Sequence, residues 1–229
     1  MNLPLPGDYI DIHNHGGRSL PGHFSVENLM AHENREPDAV NGLAYSFGIH
    51  PWHLTPESFN DQIEKVKINA NHQNVIALGE AGFDRLRGPA RELQTRAFNE
   101  QAAIAAEKSK PLFIHCVRAW DDLLAAHKRM MPSRPWIIHG FRGKRDLAAQ
   151  LILKGMYISF WFDFVIRPES TEIVKSLPAD RIFLETDGSG IDIKTPYTKV
   201  AEDMGISVEK LRERIFRNFM ELFSYQGDD

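Results

Sequence analysis

Residues 111–115 read Pro-Leu-Phe-Ile-His, a short apolar run that ends in a polar residue. Runs of the same kind recur along the chain, and segments with helical spacing lie between them. The other runs are Tyr9–Ile12, Leu43–Ile49, Val75–Leu78, Trp136–Ile138, Met156–Ser159 and Arg181–Leu184. Short apolar strands that alternate with helices predict a parallel sheet covered by helices, and we expect an α/β protein with a TIM-like (β/α) barrel.

The helical segments have apolar residues at intervals of three or four. They are Glu57–Asn71, Ala90–Ser109, Lys144–Lys154 and a last helix that Ser207 can cap. Residues 16–41 lack a clear strand pattern, so we expect a long loop with a short helix around Val26–His32. The predicted barrel therefore has seven to eight strands and one reduced βα unit. No repeat or Pro/Ser-rich linker divides the sequence, which predicts one domain over residues 1–229.

Composition excludes several classes of protein. The 229 residues are 42% hydrophobic and 25% charged, as in ordinary globular proteins, and a chain of this length can fold without a metal or a disulfide. The net charge of −4 excludes a globally basic nucleic-acid coat but leaves room for a local basic surface. The sequence has one cysteine, no signal-peptide pattern and no apolar run near the ~20 residues that a membrane span needs. We therefore expect a cytoplasmic protein that does not contact a membrane. We also expect no obligate protein partner.

Five histidines and two carboxylates lie where predicted strands end. They are His13, His15, His50, His115, His139, Glu80 and Asp187. A lone histidine at such a place is usually a hydrogen-bonded structural residue, but strand ends of a parallel barrel meet at one mouth. His13 and His15 are two apart on an extended segment and therefore point to the same side. Imidazoles with carboxylates suit Zn²⁺, Mn²⁺, Ni²⁺ or Fe²⁺, so the pattern predicts a metal centre.

Six blocks of sequence carry a resemblance to a known family. They are Asp-Ile-His-Asn-His (11–15), Gly-Ile-His-Pro (48–51), Ala-Leu-Gly-Glu-Ala-Gly-Phe-Asp (77–84), Leu-Phe-Ile-His-Cys-Val-Arg-Ala (112–119), Ile-Ile-His-Gly-Phe-Arg-Gly (137–143) and Leu-Glu-Thr-Asp (184–187). In these blocks the chain resembles the TatD family of metal-dependent hydrolases, which has amidohydrolase-like barrels and deoxyribonuclease activity. Three features depart from the family pattern: the region between His15 and Gly48 is shorter than usual, Ser189 replaces a proline, and Trp52 stands where a histidine is common.

The resemblance implies two divalent ions, with zinc, manganese, nickel or magnesium as candidates. His13, His15, Glu80 and Asp187 would hold one ion. His115 and His139 would hold the second, with Glu80 as the bridge. His50 would lie beside the metals and face the substrate. The catalytic residues implied are Asp187, Glu80 and His50.

Two such ions would bind a bridging water, lower its pKa and clamp a phosphoryl oxygen. Asp187 would accept the water's proton, and His50 would bind the phosphate or assist the leaving group. Asp11 and Asp84 would orient ligands, or would simply make local hydrogen bonds. Glu185 is expected to alternate away from Asp187, and Cys116 to be a buried thiol facing the helices.

Basic residues follow several predicted strand ends and favour a phosphodiester substrate such as a DNA end. They are Arg18, Arg85, Arg87, Arg118, Arg142, Lys144 and Arg145, of which Arg85, Arg118 and Arg142 join His50 as predicted phosphate-binding residues. The alternative is that these are solvated loop charges. Four aromatic side chains, Trp52, Trp120, Phe141 and Trp161, could stack on bases or belong to the core. Two rival functions remain: an amidohydrolase or lactonase acting on a small molecule, and a metal-binding barrel without catalysis.

Overall fold

The computed structural model describes residues 2–17 and 19–223. Eight strands form one sheet in which spatial order follows chain order. The strands are β1 (Tyr9–Asn14), β2 (His23–Met30), β3 (Leu43–Gly48), β4 (Val75–Asp84), β5 (Leu112–Val117), β6 (Trp136–Phe141), β7 (Tyr157–Phe160) and β8 (Ile182–Leu184). The pairs β1–β2, β3–β4, β4–β5, β6–β7 and β7–β8 are parallel, as the sequence predicted.

Helices connect most of the strands from β3 onward. They are α1 (Phe59–Asn69), α2 (Arg91–Glu107), α3 (Trp120–Met130), α4 (Arg145–Leu153), α5 (Phe162–Val165), α6 (Thr171–Ser176), α7 (Lys194–Met204) and α8 (Val208–Phe223). The predicted helices correspond to α1, α2, α4 and α8. No helix among the described residues is long and apolar enough to cross a membrane.

The segment 16–41 differs from the prediction. It contains the strand β2, whose residues pair with β1 from Tyr9↔His23 onward, and not a helix around Val26–His32. Three polar residues of β2 are buried, namely Ser25, Glu27 and Asn28, and they interrupt the apolar run by which a buried strand is recognised. Among the described residues no helix links β1 to β2 or β2 to β3, which is the reduced unit that the sequence indicated.

The chain divides into two compact units. The first contains Asn28–Asp38 and Tyr45–Trp136, and the second contains Asn2–Glu27, Ala39–Ala44 and the described chain from Ile137 onward. The single domain over residues 1–229 stays a prediction.

Close backbone approach holds the first unit together. All ten residues of β4 are buried, and Gly82 pairs with His115 of β5. A Cβ atom at Gly82 would lie 1.8 Å from the carbonyl oxygen of His115, so only glycine fits there. The Gln101 side chain of α2 accepts from the Ile49 amide (2.7 Å) and donates to the Ile49 carbonyl (3.2 Å). These contacts fix the residues next to His50 and His115.

In the second unit, β8 lies beside β1. The Asp187 amide donates to the His13 carbonyl at 3.1 Å, directly after the end of β8. Asp11 of β1 accepts from the Thr186 amide (3.0 Å) and from the Thr186 hydroxyl (2.6 Å). The Tyr197 hydroxyl of α7 binds both the amide and the carbonyl of Ile10, each at 3.1 Å. The ends of β1 and β8 are therefore joined, and the side chains beyond them are brought together.

Gly82→Ala should reduce the free energy of unfolding by about 3 kcal/mol or more, because the added methyl group meets a carbonyl that no side-chain rotation can move. Gly205→Ala is the matched control: Gly205 has φ +64 with nothing within 4 Å of an added Cβ, so only left-handed strain of about 1–2 kcal/mol is expected. Urea unfolding followed by circular dichroism measures both. Equal losses in the two variants would show that the β4–β5 approach does not limit stability.

Candidate metal centre

In the first unit, one cluster contains His50, Glu80 and His115, all buried. Glu80 Oε1 lies 2.9 Å from His115 Nδ1 and 3.2 Å from His50 Nε2. The two imidazole nitrogens are 3.3 Å apart. Donor atoms that bind one ion at about 2.1 Å lie roughly 3–3.5 Å from one another, and the 2.9 Å between Glu80 Oε1 and His115 Nδ1 is close to that spacing.

The hydrogen bonds of His50 indicate its tautomer. The Trp52 amide donates to His50 Nδ1 at 3.1 Å, so Nδ1 is an acceptor and a neutral His50 carries its proton on Nε2. An Nε2–H group donates and does not ligate a cation. This arrangement fits a histidine that faces a substrate oxygen better than one that holds the metal.

Asp84 determines the orientation of His115. Asp84 Oδ2 lies 3.2 Å from His115 Nε2, while Oδ1 accepts from the amides of Leu86 (2.7 Å) and Arg87 (3.0 Å). Burial raises the pKa of Asp84, but the hydrogen bonds from Trp52, from the two amides and from His115 outweigh it, so the pKa is lowered overall. The ionised carboxylate holds the proton of His115 on Nε2, and Nδ1 is directed at Glu80.

Glu80 has a partner that the sequence did not reveal. Asn28 of β2 accepts from the Glu80 amide at 2.9 Å, and its Nδ2 lies 3.5 Å from Glu80 Oε2. Ser46 in turn donates to Asn28 Oδ1 at 3.0 Å. Because the segment around Asn28 was predicted to be helical, its position beside Glu80 could not be inferred.

In the second unit, His13, His15 and Asp187 form another cluster. Asp187 Oδ1 lies 3.4 Å from His15 Nε2 and 3.8 Å from His13 Nε2. Asp187 itself has φ +50, and a Cβ atom at Gly188 would lie 2.9 Å from His15 Cβ. This sharp turn after β8 directs the Asp187 carboxylate towards the two histidines.

The expectation for Glu185 was wrong. Its carboxylate is fully buried and accepts a hydrogen bond from the Gly140 amide at 2.7 Å. Glu185 Oε1 also lies 3.5 Å from His139 Nδ1. Glu185 therefore forms a candidate ligand group with His139 and Asp187. Strand alternation does not apply there because β8 already ends at Leu184. Within the described chain Glu185 Oε2 has no hydrogen-bond partner. A buried carboxylate oxygen of this kind is costly unless a cation is near, which fits a metal on this side.

The regular pairing of the strands is interrupted at three of these residues. The register shifts between Asp11 and Asn14 around His13, between Leu78 and Ala81 around Glu80, and between Ile138 and Phe141 around His139. Such irregularities re-aim side chains and are frequent next to active sites. The ligand candidates are therefore positioned by breaks in the strand ladder as well as by strand ends.

Comparison with known proteins decides the family. The TatD related DNase family matches residues 25–224. The chain belongs to that family. A 3'-5' ssDNA/RNA exonuclease TatD of Pantoea vagans is 31% identical over 215 residues, which cover 84% of this chain and 82% of the relative. Another of Erwinia billingiae is 35% identical over 145 residues, 61% of this chain and only 55% of that protein.

The fold agrees with this TatD-family assignment. The crystal structure of a TatD homologue from Escherichia coli superimposes with a TM-score of 0.78 over 97% of this chain and 100% of that one, at 20% identity. The predicted TIM-like barrel and the predicted family are thereby confirmed.

The other residues predicted for the site of this TatD-family chain differ in their unit, their ion pairs and their exposure. His115 and His139 belong to different units, so an ion shared between them stays a prediction. Arg85 is paired with Asp121 and Asp122, which offset its charge. Arg118 and Arg142 are exposed, and Arg18 lies outside the described residues.

Cys116, predicted to be a buried thiol, is only partly buried. Burial raises its pKa to about 12. The thiolate, which is the reactive form, is therefore scarce near neutral pH.

Asp84→Asn should weaken divalent-metal binding by roughly 10- to 100-fold, because the amide removes the charge that keeps the His115 proton on Nε2. Titration calorimetry with Zn²⁺ and with Mn²⁺ measures the change. Asp61→Asn is the control, since Asp61 is exposed on α1 and pairs only with Lys65 among the described residues. Unchanged affinity in Asp84→Asn would contradict an orienting role for Asp84.

Proposed function

We propose that the chain is a metal-dependent nuclease that hydrolyses phosphodiester bonds at the ends of nucleic-acid strands. The observation that carries this proposal is the pair of His–carboxylate clusters at strand ends in a member of the TatD related DNase family. The names of the relatives, 3'-5' ssDNA/RNA exonucleases, support single-stranded DNA or RNA as the substrate class. They also favour a nuclease over an amidohydrolase, a lactonase or a non-catalytic barrel.

We further propose that the chain binds two ions. His13, His15, Asp187 and Glu80 would hold one ion, and His115 and His139 would hold the other, with Glu80 as the bridge. In support, these residues lie in or just after the carboxyl-terminal halves of strands that belong to one sheet. Glu185 is an added ligand candidate beside His139. Bound ions would lower the pKa of a water molecule and polarise the phosphoryl group.

The protein side chains then have separate tasks. Asp187, in contact with His13 and His15, accepts the proton of the attacking water, which approaches phosphorus in line with the leaving oxygen. His50 donates its Nε2–H to a phosphate oxygen, consistent with the acceptor role of its Nδ1. Asp84 keeps His115 in the tautomer that presents Nδ1.

The donor set bears on the identity of the ions. Imidazole nitrogens outnumber carboxylates among the proposed ligands, and imidazole suits Zn²⁺, Mn²⁺ or Ni²⁺ better than Mg²⁺. We propose that one of the first three binds most tightly. Location in the cytoplasm stays a prediction.

Glu80→Gln should abolish most phosphodiester hydrolysis, by at least about 100-fold, while the chain stays folded, because an amide bridges cations poorly. Release of nucleotides from a labelled single strand and hydrolysis of bis-p-nitrophenyl phosphate measure activity, and metal analysis measures occupancy. Glu64→Gln, at an exposed position of α1, is the control. Chelation should likewise remove activity and leave the circular dichroism spectrum unchanged; unfolding on chelation would contradict a fold that is independent of metal.

Arg142→Ala should weaken binding of a single strand more than binding of one small phosphodiester. Arg142 is exposed just after β6, and a phosphate contact contributes about 0.7 to the slope of log affinity against log salt for single strands. Affinity measured at several salt concentrations tests this, with Arg217→Ala, exposed on α8 and paired with Glu213, as the control. Salt-independent turnover together with a preference for lactones or amides would instead support a small-molecule hydrolase.

A further inference from the structure

One exposed pair of side chains borders the cluster of His50, Glu80 and His115. The Arg87 guanidinium lies over the Trp52 indole ring, 3.7 Å from its centroid. The indole ring contacts His50 and His115, with ring centroids 4.8 Å and 5.7 Å apart. Trp52 nevertheless keeps 39% of its surface exposed, and Arg87 is exposed as well. We name this pair, Trp52 with Arg87, the Trp52–Arg87 platform.

One carboxylate anchors both residues of the platform. Trp52 Nε1 donates to Asp84 Oδ2 at 2.6 Å, and Asp84 Oδ1 accepts from the Arg87 amide at 3.0 Å, so Asp84 holds the indole ring and the backbone of Arg87. The backbone at Gly88 packs against Pro51, since an added Cβ would lie 2.7 Å from the Pro51 carbonyl oxygen. A surface fixed before binding loses little conformational entropy when a ligand arrives.

The charge of Arg87 is used differently from that of Arg85. The Arg85 guanidinium is bound by Asp121 and Asp122. For the Arg87 guanidinium the described residues supply no such carboxylate, and its contact is with the indole ring. Its positive charge is therefore available to an anionic strand next to the metal cluster.

We propose that the Trp52–Arg87 platform stacks against an unpaired nucleobase of the strand whose phosphodiester lies at the His50–Glu80–His115 cluster. The proposal rests on the nuclease function proposed above. Bases stack on aromatic rings and on guanidinium planes alike, and only a base outside a duplex exposes its face for this. The platform thereby favours single strands.

The experiment measures binding of a phosphorothioate-linked single strand, which resists hydrolysis, to the metal-loaded full chain by fluorescence anisotropy. Trp52→Leu removes the ring and should weaken binding by about 5- to 100-fold, the range for loss of one base stack. Trp52→Phe keeps a ring and should stay within about threefold of the natural chain. Arg87→Gln should weaken binding by an intermediate factor.

Two controls isolate the stacking contribution. Arg96→Gln removes a guanidinium that lies 4.1 Å over the ring of Phe59, which is buried, so no base can reach that ring and binding should not change. Strands in which each terminal base is removed in turn provide the second control. At the abasic position that faces the platform, Trp52→Leu should have no further effect on affinity.

The possible outcomes separate this proposal from the proposed function. In one outcome, Trp52→Leu and Arg87→Gln bind the strand as tightly as Arg96→Gln does, while the natural chain binds the strand and hydrolyses bis-p-nitrophenyl phosphate. That outcome overturns the stacking proposal and leaves the proposed nuclease function in place. Equal losses on intact and abasic strands would also overturn the stacking proposal. If the natural chain neither binds the strand nor hydrolyses the phosphodiester, both proposals fall. Metal analysis of each variant distinguishes stacking from a lost ion, because Trp52→Phe and Arg87→Gln leave every proposed ligand in place.

Discussion

The pairing of the strands is irregular around three of the candidate metal ligands, and the directions of their side chains depend on these irregularities. Regular parallel pairing would send alternate side chains to opposite faces. The register shifts around His13, around Glu80 and around His139 re-aim those side chains. The flanking strand residues remain buried and paired, so the interruptions are local. A fourth shift, between Tyr45 and Ser46, lies away from the candidate ligands. Strands that are paired on both sides of such interruptions position ligands more accurately than a set of loops does.

The two units stabilise their clusters by different means. In the second, Asp11 joins β1 to β8 through the amide and the hydroxyl of Thr186 and also accepts from Asn14. Burial is the main cause that raises the pKa of Asp11 to about 7, with the hydrogen bonds from Thr186 and Asn14 acting in the opposite direction. Since the unfolded chain loses this proton at lower pH, the ionised group disfavours the folded state above the ordinary pKa of 3.8. Packing elsewhere compensates for this local cost. In the first unit, the fully buried strand β4 carries Glu80 and Asp84, and the amides of Leu86 and Arg87 solvate the Asp84 carboxylate in place of water.

The sequence indicated candidate ligands where a polar residue interrupts an apolar strand. His13, Glu80 and His115 are of this kind, and each lies in a group of side chains that could hold a metal ion. Sequence reasoning failed where burial and polarity coincide: β2 was missed because Ser25, Glu27 and Asn28 are polar yet buried, and the contact of Asn28 with Glu80 was lost with it. Glu185 was misplaced because strand alternation was extended beyond Leu184, where the chain already turns. The pairing of Arg85 with Asp121 and Asp122 is a tertiary contact that no local pattern predicts.

The position of Cys116 has a consequence for oxidative chemistry. The chain has one cysteine, and its thiol is held in the protonated form immediately after His115. The proposed ligands are therefore nitrogen and oxygen atoms alone, which peroxides and disulfides do not attack as they attack thiolates. A centre built in this way has no thiol ligand to lose when the surroundings become oxidising. Oxidants that act on thiols would therefore leave the side chains proposed to hold the metal unmodified.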